Sequence, residues 1–87
     1  MMRANTPFMT QAGIFLGDLL TVDQSLRPST GKVIARFFNH RLAIRRFEES
    51  KKEIYLRLDD LPQKVETIST KNKFKVLGVV TYVVHPL

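Results

Sequence analysis

Apolar and polar residues alternate along most of the chain, with the period of β-strands. Leu19 to Asp23 is a short apolar run between Gly17-Asp18 and Arg27-Pro28, which predicts a strand between turns. Gly31 releases a second segment, Lys32 to Phe38. Lys32, Ile34, Arg36 and Phe38 take one side of it, and Val33, Ala35 and Phe37 the other. Both sides carry apolar groups, which predicts a central strand. Asn39-His40 is a candidate two-residue hairpin turn; Asn tolerates positive φ and His does so less readily, which leaves the turn type open. Arg41 to Glu49 is the returning strand, and Ser50-Lys51-Lys52 is a polar turn. Glu53 to Leu58 alternates again, with Ile54, Leu56 and Leu58 on one face and Glu53, Tyr55 and Arg57 on the other.

The alternation stops at Asp59 to Glu66. Pro62 has no N–H to give a central strand, so this stretch reads as a loop with room for one helical turn. Lys71, Lys73 and Lys75 then face away from Phe74 and Val76. Leu77 to Val84 is a β-branched last strand, in which Gly78 signals a bulge or a close backbone approach. Six or so short strands with little helix predict a mainly β fold, small and strongly bent. It is expected to form a single domain over residues 1–87.

Composition adds limits. A chain of 87 residues buries only about 60–65% of its unfolded surface, so its core is thin and pairing with another copy would help it. Cysteine is absent, which excludes disulfides and thiolate metal sites and suits a reducing cytoplasm. No apolar run approaches the roughly 20 residues of a membrane span, and the N-terminus has no signal-peptide core. The net charge of +6 can attract nucleic acid or an acidic protein surface. The plainer reading is that the basic residues are solvated strand faces.

Candidate chemistry is sparse. His40 and His85 have no His or carboxylate at a ligand spacing, so both read as surface or turn residues and no metal is expected. Asp18 is expected to hydrogen-bond the backbone of its own turn. The glycines are scattered, so no phosphate cradle forms, and no cofactor is implied. Ser25, Ser29, Ser50 and Ser69 fall in predicted turns and loops.

One ordered set of motifs stands out. Phe8-Met9 is followed by Gly13-Ile14, then by Gly17-Asp18-Leu19-Leu20-Thr21-Val22-Asp23. Gly31, Val33-Ile34-Ala35 and Ile44-Arg45-Arg46-Phe47 come next, and Phe74 to Val84 closes the chain. In order and spacing this closely resembles the catalytic domain of the UmuD and LexA family, the self-cleaving serine peptidases of the bacterial SOS response. UmuD is the nearer of the two, since Gly17 to Phe47 matches it without a gap. The resemblance implies the bent β-fold of that domain, which is signal-peptidase-like, and cut short at its N-terminus. It also implies that Phe8 stands where the family has its nucleophilic serine, and Arg45 where it has its general-base lysine.

A serine–lysine pair needs a hydroxyl to attack and a neutral amine to take its proton. Phenylalanine has no hydroxyl, and arginine, with a pKa of about 12.5–13.8, stays charged. Thr6 and Thr10 lie two residues either side of Phe8, about 6–7 Å along an extended chain, too far to replace the serine. Phe8 and Arg45 are therefore expected to be vestigial. Phe8 would fill the emptied site with apolar surface, at about 2–3 kcal/mol of stabilisation. Arg45 would be solvated or paired with a carboxylate at a strand end. Only seven residues precede Phe8, fewer than in the family, and Ala12-Gly13 is not the family's scissile bond because it lies after the nucleophile position.

Three functions compete. By resemblance, the first is a non-catalytic homodimeric module of the SOS response, accessory to error-prone translesion synthesis. Its partner would be a translesion polymerase subunit or a recombinase filament, and its dimer contacts would lie at Val79, Val80, Thr81, Tyr82, Val83 and Val84. A fragment keeping only the dimerisation domain of a LexA-like repressor is the near alternative. The second is a single-stranded nucleic-acid binder using Arg41, Arg45, Arg46, Lys71, Lys73 and Lys75. The third is a peptidase of unusual mechanism. The first is the reading the residues favour.

Overall fold

The structure, a computed structural model, describes residues 1–72 and 74–87. Seven antiparallel strands form one sheet: β1 (Met2–Arg3), β2 (Leu19–Asp23), β3 (Val33–Phe38), β4 (Arg41–Glu49), β5 (Glu53–Leu58), β6 (Leu61–Ser69) and β7 (Gly78–Val84). Among the described residues one 3-10 turn, Thr10–Ala12, is present, between β1 and β2. The order across the sheet is β1-β2-β7-β3-β4-β5-β6. The expected mainly β fold is present, and no helix among the described residues is long and apolar enough to cross a membrane.

Several strands form where alternation and turn chemistry place them. β3 is central, between β7 and β4, and its neighbours Ile34 and Ala35 are both fully buried, one in each of two core clusters. Ala35 joins Ala4, Met9, Ile14, Leu20 and Ile44. Ile34 joins Phe47, Ile54, Leu56 and Val79. Consecutive strand residues point to opposite faces, so the sheet is covered on both sides. The β3–β4 hairpin closes through Asn39 and His40, both left-handed with φ of 52° and 64°. Two consecutive positive φ values are those of a type I′ turn, whose twist matches the strands it joins.

Two expectations change. Asp59 to Glu66 is not a loop: only Asp59-Asp60 turn, and β6 begins at Leu61. Pro62 is tolerated because β6 is the sheet's outer strand, where a missing N–H leaves no partner unsatisfied. Leu58 does not share the face of Ile54 and Leu56. The β5–β6 register shifts between Arg57 and Leu58, and Leu58 packs against the Ala4–Met9 cluster instead.

Gly78 shows the close approach its position predicts. A Cβ there would lie 2.6 Å from the Asp23 carbonyl oxygen and 2.7 Å from Val22 Cγ1. β2 and β7 shift register at Thr21/Val22, so Thr81 is left over as the extra residue of a bulge. Gly78→Ala is expected to lower unfolding free energy by about 1–3 kcal/mol, because backbone has to move. Urea unfolding followed by circular dichroism measures this, and an unchanged midpoint would contradict the contact.

Candidate functional site

The segment from Ala4 to Asp18 forms a frame against the sheet. Its ends are tied together, since the Ala4 N–H donates to the Asp18 carbonyl (2.7 Å) and the Gly17 N–H donates to that of Ala4 (2.8 Å). Met9 is fully buried and anchors the frame in the core. The β5–β6 turn holds its middle. The Asp60 carboxylate accepts from Thr10 N (2.9 Å), Thr10 Oγ1 (2.6 Å) and Gln11 N (3.0 Å), and the Asp60 N–H donates to the Phe8 carbonyl (3.0 Å). Asp60 therefore caps the 3-10 turn from 50 residues away. Those hydrogen bonds outweigh the effect of burial and hold its carboxyl below the usual value, the Thr10 hydroxyl contributing most.

Phe8 and Arg45 line one cleft of about 580 Å³ between the frame and the β3–β4 hairpin. The fold thus brings together the two positions that the resemblance pairs. Their environments differ from expectation. Phe8 is 42% exposed and does not fill the site, because Met9 takes the buried place beside it. Arg45 lies within β4, not at a strand end, and is half-buried. It has no carboxylate partner among the described residues; its NH1 donates to the Ile44 carbonyl (2.8 Å). Burial, then the nearby positive charge of Arg36, lower its pKa, while Glu66 acts the other way. The Thr10 hydroxyl is engaged by Asp60, and that of Thr6 accepts from the Phe8 N–H (3.2 Å).

The basic residues do not form one stripe. Arg41 is exposed at the cleft rim. Arg46 is not a free contact residue: its Nε and NH2 clasp Asp59 at 3.1 and 2.5 Å, and NH1 reaches the Gly31 carbonyl. The hydrogen bond to Asp59 raises its pKa. Lys71 lies with Lys51 and Lys52 near the β4–β5 turn, and Lys75 lies beside Phe37. Lys73 falls outside the described residues.

β7 is an interior strand, not an edge, yet only Gly78 and Val79 pair with β3. Val79 is 3% exposed and belongs to the core, so its side chain cannot meet a partner. Val80 is half-buried against the first cluster. Thr81 to Val84 are exposed, with Tyr82 at 71%.

Sequence reading missed His85. Its Nδ1 lies 2.5 Å from Oδ1 of Asp18, a carboxylate with no exposed surface. Asp18 also accepts from the Phe15 N–H (2.8 Å), the expected bond to its own turn. The Phe15 ring stands edge-on to His85 at 5.7 Å. The chain end is thereby fastened to the Gly17-Asp18 turn across 67 residues, a separation that local spacing does not reveal. Burial pushes the Asp18 carboxyl up, but the Phe15 and His85 bonds together hold it below the usual carboxylate value.

For Asp18 and Asp60 the folded pKa lies below the unfolded one, so their stabilisation is complete above the ordinary carboxylate value and lost as pH falls through the folded values. The urea midpoint is expected to fall as pH drops below roughly 4. Asp60→Asn should shrink that fall and reduce hydrogen-exchange protection of the Thr10 and Gln11 amides. Equal acid limbs for the two proteins would contradict the assignment.

With this geometry in view, comparison with known proteins gives consistent results. The family model for Peptidase S24-like proteins matches residues 2–81. Protein ImpA of Salmonella typhimurium, of Shigella flexneri and of Escherichia coli are each 30% identical to this chain over 84 residues, which is 97% of it. The chain spans 57% of the length of those relatives. The chain belongs to the Peptidase S24-like family, the family of UmuD and LexA.

Proposed function

We propose that this chain is a non-catalytic, UmuD-like module that pairs with itself in the cytoplasm and serves error-prone DNA synthesis in the SOS response. The observation that supports it is the pair of residues at the cleft. Phe8 offers no nucleophile, and Arg45 keeps its proton even though burial and Arg36 weaken its hold on it. A frame that is well fastened but lacks attacking and accepting groups suits recognition rather than bond cleavage. The partner would be a translesion polymerase subunit or a recombinase filament, as the resemblance implies.

The surface for self-pairing is the outer half of β7. Among the described residues Tyr82 to Val84 pair only with β2, and all three are exposed. Apolar residues on an incompletely paired strand are a site for association. Two copies meeting there would form an isologous contact.

Light scattering at micromolar concentration is expected to give twice the chain mass, and Val83→Glu to give a monomer with unchanged circular dichroism. A monomeric natural chain would overturn the pairing. A fluorophosphonate probe should not label the protein, and mass spectrometry should find no self-cleavage after alkaline incubation. Labelling or fragments would overturn the non-catalytic reading.

A further inference from the structure

The cleft beside Phe8 carries more positive charge than the protein neutralises. Arg41 and Arg45 both line it, and among the described residues no Asp or Glu does. The two share a face of β4, separated by Ala43, whose small side chain leaves the floor open between them. The nearby carboxylate, Glu66, is held by Arg36 at 2.5 Å. Among the described residues, Arg45 is therefore a half-buried cation bonded only to the Ile44 carbonyl and facing an open cleft. Such a charge is costly without a counter-charge.

The rim is aromatic. Phe8 stands on one side and Phe38, 52% exposed, on the other. The Arg36 guanidinium lies 4.8 Å from the centroid of Phe38 and holds that ring. Asn5, Asn39 and Thr6 supply neutral donors and acceptors between them. Exposed rings beside unpaired guanidinium groups are the parts of a single-strand site, with stacking for bases and cations for the backbone. An acidic peptide would use the charges and leave the two rings without a role.

We propose that this cleft binds single-stranded nucleic acid, with backbone phosphate on Arg45 and Arg41 and bases stacked on Phe8 and Phe38. The site goes beyond the pairing proposed above and does not depend on it, since one copy holds all four residues.

Fluorescence anisotropy with a labelled oligothymidylate of about a dozen nucleotides tests this. Binding is expected at about 50 mM salt and should weaken steeply by about 200 mM. Arg41→Gln and Arg45→Gln should each lower the slope of log affinity against log salt by about 0.7. Phe38→Ala should weaken binding roughly 5- to 150-fold. Arg41 and Phe38 are exposed, so these two variants keep the test valid if Arg45→Gln fails to fold. The Lys51→Gln, Lys52→Gln double variant alters charge at the other end of β4 and should change affinity by less than Arg41→Gln does. The site is overturned by absence of binding at low salt, by a Phe38→Ala protein that binds as tightly as the natural chain, or by an equal loss in the lysine variant. Tighter binding of an oligoglutamate peptide than of the oligothymidylate, lost in Arg41→Gln, would also overturn it.

Discussion

Two adjacent carboxylates at the β5–β6 turn fix the geometry of the site. Asp59 clasps Arg46 on β4, and Asp60 holds Thr10 and Gln11 in the frame. Charge-assisted hydrogen bonds of this kind are short and directional. Arg46 is the next residue to Arg45, and Thr10 is two residues from Phe8. A turn of two residues thus sets the distance between both halves of the cleft. A longer connection would let one carboxylate move without the other. The register shift just before the turn belongs to the same device, because it turns Leu58 inward under the frame.

Much of this fold can be read from local pattern. β4 and β5 occupy the residues that alternation predicts, Asn39-His40 forms the tight turn, and Gly78 marks a backbone approach that excludes a Cβ. These features depend on period and on steric limits of single residues. β6 was hidden because Pro62 argues against a strand, and only its place at the edge removes the objection. The pairing of Phe8 with Arg45 in one cleft was legible through the resemblance, but their exposure was not. Phe8 lies at the surface because its neighbour Met9 occupies the interior, a choice set by packing. Asp60 with Thr10 and His85 with Asp18 are contacts across 50 and 67 residues. No local spacing encodes such pairs, so the residues that brace the site are the ones the sequence conceals.

The same braces hold the cleft in order around two like charges. Arg36 and Arg45 lie close enough for each to oppose the other's charge, and Glu66 is committed to Arg36. Lysine in place of Arg45 could relieve that conflict by losing its proton, whereas arginine cannot. The conflict is contained by the sheet, since Ile34, Phe47 and Leu56 pack the core on the face that carries both arginines. The cationic floor thus follows from a permanent charge on a strand that core packing keeps in place.

The chain end completes the argument by a different route. Beyond Val79, β7 leaves β3 and is held by β2 alone. A strand bonded on one side tends to fray. The contact between His85 and the buried Asp18 opposes fraying, because it fastens the residue that follows Val84 to the turn that precedes β2. The exposed strip is then held from both directions, before it by the pairing of Gly78 and Val79 with β3 and after it by a charge-assisted hydrogen bond. Tyr82, Val83 and Val84 are presented on an extended backbone whose ordering cost is already met in the single chain. Association on such a strip loses less conformational entropy than association on a loose tail, and the thin core gives the domain a reason to gain from it.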